Sequence, residues 1–255
     1  MELRQLGTSG IRVSTLGLGT VKFGRNQDLK YPEPFRLPSA GEITLLLETA
    51  SDLGINLLDT APAYGDSEIL VGSAIRGQRD KWVLTTKVGE TFSRGRSSFD
   101  FSPESVNASV LASLQRLQTD FLDVVLIHSN GDDVAILEHT GALDMLKLLK
   151  TKGMIRAVGI SHKTLSGGYR ALELGCDVLM TTLNAKDISQ LPVITRAAQL
   201  GCGIMVKKAL ESGHGELSGL RFAASQTGVC SVVVGSINAD HLTENVQAVN
   251  LTDGQ

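Results

Sequence analysis

The sequence predicts a single (β/α)8 barrel spanning residues 1–255, with an N-terminal β-hairpin closing its bottom. Three observations point there. Eight short, β-branched runs recur along the chain, each followed by a helical pattern. Several of these runs are apolar almost throughout, as strands buried on both faces of a parallel sheet are. No linker rich in proline, glycine or serine divides the chain. An open doubly wound sheet is the alternative, but it seldom carries eight regular units. A length of 255 residues is ordinary for one barrel.

The strand candidates are 15–20, 56–59, 82–87, 122–127, 155–160, 177–182, 203–207 and 230–235. The first helix is expected to start at Ser39, with Glu42 completing a capping box, and to stop at Gly54. Ile43, Leu46, Leu47, Ala50 and Leu53 form its buried face. The third helix opens on Ser102 and Pro103 and buries Val106, Val110, Leu114 and Leu117. The fourth runs to Lys150 and Lys152, cations that suit a helix C-terminus, before Gly153. Ahead of the barrel, Leu3–Leu6 and Ile11–Val13 read as a hairpin around a GTSG turn. The segment 24–38, with three prolines, reads as a long loop on the face where barrel active sites sit.

Composition narrows the function. An apolar share of 42% supports a large core, and 24 basic against 27 acidic residues give a net charge of −3. That balance argues against a nucleic-acid or anionic-membrane partner, and the 4% aromatic content against a stacking platform. Cys176, Cys202 and Cys230 are far apart and read as buried thiols. With no apolar signal core in MELRQLG and no apolar stretch near 18 residues, a cytoplasmic protein is expected.

Polar groups that interrupt apolar runs at strand ends are the candidates for chemistry. Asp59 closes the second strand, Lys87 the third and His128 the fourth, and Tyr64 follows Asp59 in a tight connection. Reduction of a carbonyl needs a proton for the oxygen as negative charge builds on it. A tyrosine titrates near about 10, and a neighbouring ammonium lowers that value. Lys87 fills that part, Asp59 keeps Lys87 charged, and His128 can hydrogen-bond the substrate oxygen. Taken singly, Asp59–Lys87 could be a structural ion pair, His128 a barrel histidine and Tyr64 a loop aromatic. Their occurrence on successive strand ends is what makes the set specific.

The stretch NLLDTAPAYGDSEILVG (56–72) resembles the signature of the aldo-keto reductases. TTKVG (85–89), LQTDFLDVVLIH (117–128), GLGTVKFG (17–24) and GIS (159–161) resemble further motifs of that family, in order. The match runs from about residue 3 to 249. The resemblance implies a barrel, a nicotinamide cofactor, a small-molecule carbonyl substrate and the tetrad Asp59, Tyr64, Lys87 and His128. No Rossmann GxGxxG stands between a strand and a helix, and Gly17-x-Gly19 is rejected as one because a long loop follows it.

For the cofactor, Asn238 can cap the last helix, whose free N–H groups make a phosphate site. The resemblance places Ser236, Glu244 and Asn245 on the ribose phosphate and adenine, Ser161 on the nicotinamide amide, and Gly19 and Thr20 beside the cofactor. It also exposes departures. Gly235 and His241 stand where well-known members carry a lysine and an arginine for the 2′-phosphate; because some members with glycine here still use NADPH, NADPH remains favoured and NADH is possible. His162 replaces the usual asparagine, Met180 a glutamine, and Lys207 the tyrosine that stacks on the nicotinamide. Asn184 or Lys207 is then expected to hold the ring, or Lys207 and Lys208 to meet the pyrophosphate, unless one of the two lysines only solvates the barrel rim. The connection 213–221 is short and no long extension follows the last helix, so the pocket is either open or missing residues. The alternative is a nicotinamide-binding regulator with little turnover; the Asp59 and Tyr64 spacing argues against a Schiff-base aldolase acting through Lys87, and the five histidines are too dispersed for a metallohydrolase.

Overall fold

A computed structural model describes residues 1–250. Strands β1 (Leu3–Gln5) and β2 (Arg12–Ser14) pair antiparallel as the expected hairpin, and β3 (Leu16–Gly19) begins the barrel. A single turn, α1 (Val21–Gly24), leads into an irregular segment and then α2 (Ala40–Asp52). There follow β4 (Leu57–Asp59), α3 (Ser67–Ala74), β5 (Val83–Val88), the small strands β6 (Glu90–Ser93) and β7 (Arg96–Phe99), and α4 (Pro103–Leu117). Then come β8 (Leu122–His128), α5 (Asp133–His139), α6 (Ala142–Thr151), β9 (Ile155–Ser161), α7 (Leu165–Glu173), β10 (Val178–Thr182) and α8 (Leu191–Leu200). The chain continues with β11 (Gly203–Lys207), α9 (Ser218–Ser225), β12 (Val229–Gly235) and α10 (Ala239–Asn250). Eight parallel strands close in chain order, β3-β4-β5-β8-β9-β10-β11-β12 and back to β3.

The helix ends follow from local chemistry. Ser39 Oγ accepts the Glu42 N–H at 3.3 Å while the Glu42 carboxylate accepts the Ser39 N–H at 2.8 Å, so two otherwise unpaired donors are satisfied. Ser102 Oγ accepts from the Ser105 N–H ahead of Pro103.

Two apolar cores result. The larger lies between the strands and the helices. The smaller fills the barrel, where Leu57, Val124, Leu126, Met180 and Met205 meet Leu6, Ile11 and Val13 of the hairpin. The hairpin therefore plugs the end of the barrel opposite the strand C-termini, as expected. The three cysteines are buried and free. Among the described residues no helix is long and apolar enough to cross a membrane.

Two features go beyond the sequence reading. The fourth crossover holds two helices, α5 and α6. The β6–β7 hairpin follows β5 directly, its turn made by Arg94 and Gly95 at positive φ (52° and 76°).

Candidate active site

Strand register brings the expected groups to one rim. Gly19 pairs with Asp59 on one side and Gly235 on the other, His128 pairs with Ser161, and Thr182 with Lys207. Above this rim lies a cavity of about 680 Å³. Asp59, Tyr64, Lys87 and His128 line its floor, and Ser161, Met180, Lys207 and Lys208 one wall. Gly235, Ser236, Asn238, His241, Glu244 and Asn245 line the far end, toward the start of α10.

Lys87 is fully buried, and its Nζ donates to Asp59 Oδ1 at 2.7 Å and to Thr60 O at 2.9 Å. Desolvation alone would push its ammonium down, but the Asp59 carboxylate chiefly, with Tyr64, outweighs this and holds Lys87 above the ordinary lysine value. The same Nζ lies 4.9 Å from the centre of the Tyr64 ring, and the His128 ring stands edge-on to Tyr64 at 6.2 Å.

For Tyr64 the outcome departs from the expectation of a lowered phenol. Desolvation in the cavity floor pushes it above its ordinary value; Lys87 offsets only part of that, while the Asp59 and Glu90 carboxylates add to it.

The position of Tyr64 is fixed by close backbone packing. It ends a short 3-10 turn, and the following Gly65 has φ +60°. A Cβ on Gly65 would overlap the carbonyl oxygen of Gly24, and a Cβ on Gly24 would overlap that of Tyr64. The turn is tied to the barrel by Ser67 Oγ, which shares hydrogen bonds with Thr20 Oγ1 (2.7 Å) and Thr60 Oγ1 (3.1 Å). Behind it, buried Glu68 accepts from Thr86 Oγ1 at 2.5 Å and Arg116 Nε at 2.6 Å.

Glu90 was not foreseen. It opens β6 and its Oε2 lies 2.7 Å from His128 Nδ1. Desolvation works against its charge, but His128, the Ser97 hydroxyl and Arg25 outweigh it and hold the carboxyl down at about 2. His128 is itself pushed below the ordinary histidine value by desolvation, with Glu90 opposing. The sequence signal was weak: a polar strand, ETFS, with no apolar run to draw the eye.

Several expected cofactor contacts are placed elsewhere. Thr20 is buried under the rim, donating to Asp59 O at 3.0 Å. His162 faces away from the cavity, with Nδ1 3.0 Å from Thr164 O and its ring against Gly168. Asn184 shapes a turn instead: its Oδ1 accepts the N–H groups of Lys186 and Asp187, and its amide donates to Lys208 O. At α10 the N–H groups are not all free, because Asn238 Oδ1 accepts those of Asp240 and His241 and Ser236 Oγ that of Asn238. Lys207 lines the cavity, donating to Ser161 Oγ at 2.8 Å and His162 O at 3.1 Å.

The loop after β3 crosses the mouth. Arg25 anchors it by donating to Ala63 O and Gln27 O, and Tyr31 lies beneath Lys22, whose Nζ is 3.8 Å from the ring centre. A Cβ on Gly235 would come within 2.8 Å of the Tyr31 hydroxyl, so the space left by a small residue at 235 is taken by Tyr31. A Cβ on Gly213 would likewise meet Pro32 and Tyr31, at 3.2 and 3.3 Å, and His214 Nε2 lies 3.0 Å from Lys30 O. The short 213–221 connection thus leaves a pocket roofed by a different loop.

Comparison with known proteins agrees with this geometry. The sequence profile described as the Aldo/keto reductase family matches residues 15–219. A Pseudomonas aeruginosa structure assigned to the aldo-keto reductases superposes with a TM-score of 0.90 at 46% identity, covering 97% of this chain and 93% of that one. A Bacillus subtilis oxidoreductase, YqkF, is 26% identical over 98% of this chain and 92% of its own length. An NADH-specific methylglyoxal reductase of Escherichia coli is 36% identical over 64% of this chain and about half (52%) of its own length. The chain belongs to the aldo/keto reductase family, and is an NAD(P)H-dependent oxidoreductase.

Proposed function

We propose that this chain reduces a small aldehyde or ketone to the alcohol, with Tyr64 delivering the proton. The observation that carries the reading is Lys87: a buried ammonium between a carboxylate and the Tyr64 ring, on the floor of a cavity large enough for a dinucleotide and a small substrate. The cofactor fits what is present, since one cavity wall holds lysines with no carboxylate partner and the far end holds the polar residues of α10. When bound, the nicotinamide supplies the hydride.

Tyr64, with its phenol above its ordinary value, keeps its proton across the neutral range and so serves as a donor rather than a base. As the substrate oxygen becomes negative it draws that proton. Lys87 Nζ then stabilises the phenolate left behind, and Asp59 keeps the ammonium in place. His128, set by Glu90, presents its free edge to the substrate oxygen. Val21, Phe35, Leu210 and Leu217 give the mouth an apolar lining.

Of the two nucleotides, we propose NADPH with weak discrimination. Ser236, Asn238 and His241 surround the expected 2′-phosphate, yet part of their hydrogen-bonding capacity is already engaged within α10's cap.

Tyr64→Phe tests the core of this reading. Turnover of an aldehyde panel that begins with methylglyoxal should fall by roughly a hundred to ten-thousand-fold, the usual worth of general acid catalysis, while nucleotide binding persists. Turnover at the wild-type rate would remove Tyr64 from the mechanism. A wild-type chain that binds nucleotide but reduces nothing on the panel would favour the regulator.

A further inference from the structure

Lys207 ends β11 on the cavity wall, and the tetrad chemistry does not use it. Its Nζ is held by two acceptors, Ser161 Oγ and His162 O. Among the described residues the lysine ion pairs belong to Lys87, Lys150 and Lys186, so Lys163, Lys207 and Lys208 form a cationic wall without partners.

The groups facing Lys207 are mostly of its own sign. Lys208 adjoins it on its own strand end, Lys87 faces it from β5 and Lys163 from the segment after β9. His128 on β8 and His162 beside Ser161 are held neutral by burial. The opposing carboxylate, Asp133 of α5, is already engaged by the Lys163 and Thr164 N–H groups and by Thr164 Oγ1. Desolvation, then these like charges, push Lys207 down to about 7. The half-buried Lys207 amine is thus brought within reach of neutral pH.

A nicotinamide dinucleotide brings two negative charges on its pyrophosphate in either form. Set against this wall, they reverse the local field and favour the ammonium. We propose that cofactor binding is coupled to uptake of one proton from solvent at Lys207 Nζ, so that the lysine enters the complex as a fixed cation. The inference rests on the cofactor reading above. Because the pyrophosphate is common to NADH and NADPH, both should show the coupling, unlike any effect confined to the 2′-phosphate.

Calorimetric titration of the full chain with each nucleotide, in pairs of buffers of unlike ionisation enthalpy, counts the protons directly. For a group titrating near 7 when free and held charged when bound, uptake should be about three-quarters of a proton at pH 7.5 and roughly a tenth at pH 6. Affinity should weaken about twentyfold between pH 6.5 and 8.5. Lys207→Met should abolish the uptake and flatten the pH dependence. Lys207→Arg, charged throughout, should bind without uptake and decides the matter if the methionine variant does not fold. Uptake that persists in Lys207→Arg overturns the assignment, and so does wild-type binding without uptake. Failure of the wild-type chain to bind either nucleotide would instead overturn the cofactor reading, and this inference with it.

Discussion

At the scale of single residues, Asp59 and Lys87 depend on one another in different ways. Both are buried, and removing one partner of a buried pair typically costs about 3–5 kcal/mol, so both variants should lose stability. Their catalytic losses should differ in kind. Lys87→Met removes the charge that stabilises the phenolate, at any pH. Asp59→Asn leaves the amine but withdraws the carboxylate that chiefly opposes its desolvation, so Lys87 titrates lower and loses its proton as pH rises. We expect turnover by Asp59→Asn to recover as pH falls from 9 to 6, and turnover by Lys87→Met to stay flat and low. Rate–pH profiles of the two variants decide this. A recovery in Lys87→Met as large as in Asp59→Asn would show that the ammonium is not the titrating group.

At the scale of elements, the barrel was legible because its strands are buried on both faces and write themselves as unbroken apolar runs, as in Val124–Ile127. The caps at Ser39 and Ser102 were legible because each rests on residues three apart. The β6–β7 hairpin was not, since most of its residues face solvent and none belongs to a core; Glu90 stayed hidden with it. His162 and Asn184 do not line the cavity, for a related reason: strand register fixes where a backbone sits, while the turn after the strand decides where its side chain points. The turn at Tyr64 shows how strictly that can be set. Gly65→Ala places a Cβ on the Gly24 carbonyl at a positive φ, with a strain of about 1–3 kcal/mol. Relief of the overlap must shift the Tyr64 hydroxyl, and a displacement near 1 Å is worth roughly a hundredfold in rate. Gly77→Ala is the control, with φ +74° but open space around it. Both variants should melt lower, and only Gly65→Ala should lose turnover. Equal turnover in the two would mean that the glycine contact does not position Tyr64.

At the scale of the whole molecule, stability and pH meet at His162, which lies between the barrel and its outer helices. Its ring packs where Gly168 and Val193 meet, it is 1% exposed, and its Nε2 has no hydrogen-bond partner while Nδ1 engages Thr164 O. A proton on Nε2 would thus be a buried charge without an acceptor. Burial first, and the charge of Lys207 second, push His162 down to about 4. An unfolded chain binds that proton near pH 6.5, whereas the folded chain resists it until about pH 4. Within that window the unfolded state holds more protons, so stability falls as pH falls. At 1.36 kcal/mol per pH unit the loss reaches about 3 kcal/mol by pH 4, or roughly 6–12 °C in melting temperature for a chain of this size. His162→Asn removes the titrating group and leaves every other acid-sensitive residue in place, so their contribution is common to both proteins. Melting temperatures at pH 7 and pH 4.5 should therefore lie closer together in the variant than in the wild type. An undiminished gap would locate the acid sensitivity of the barrel elsewhere, in carboxylates such as Glu90 that must take up protons on unfolding.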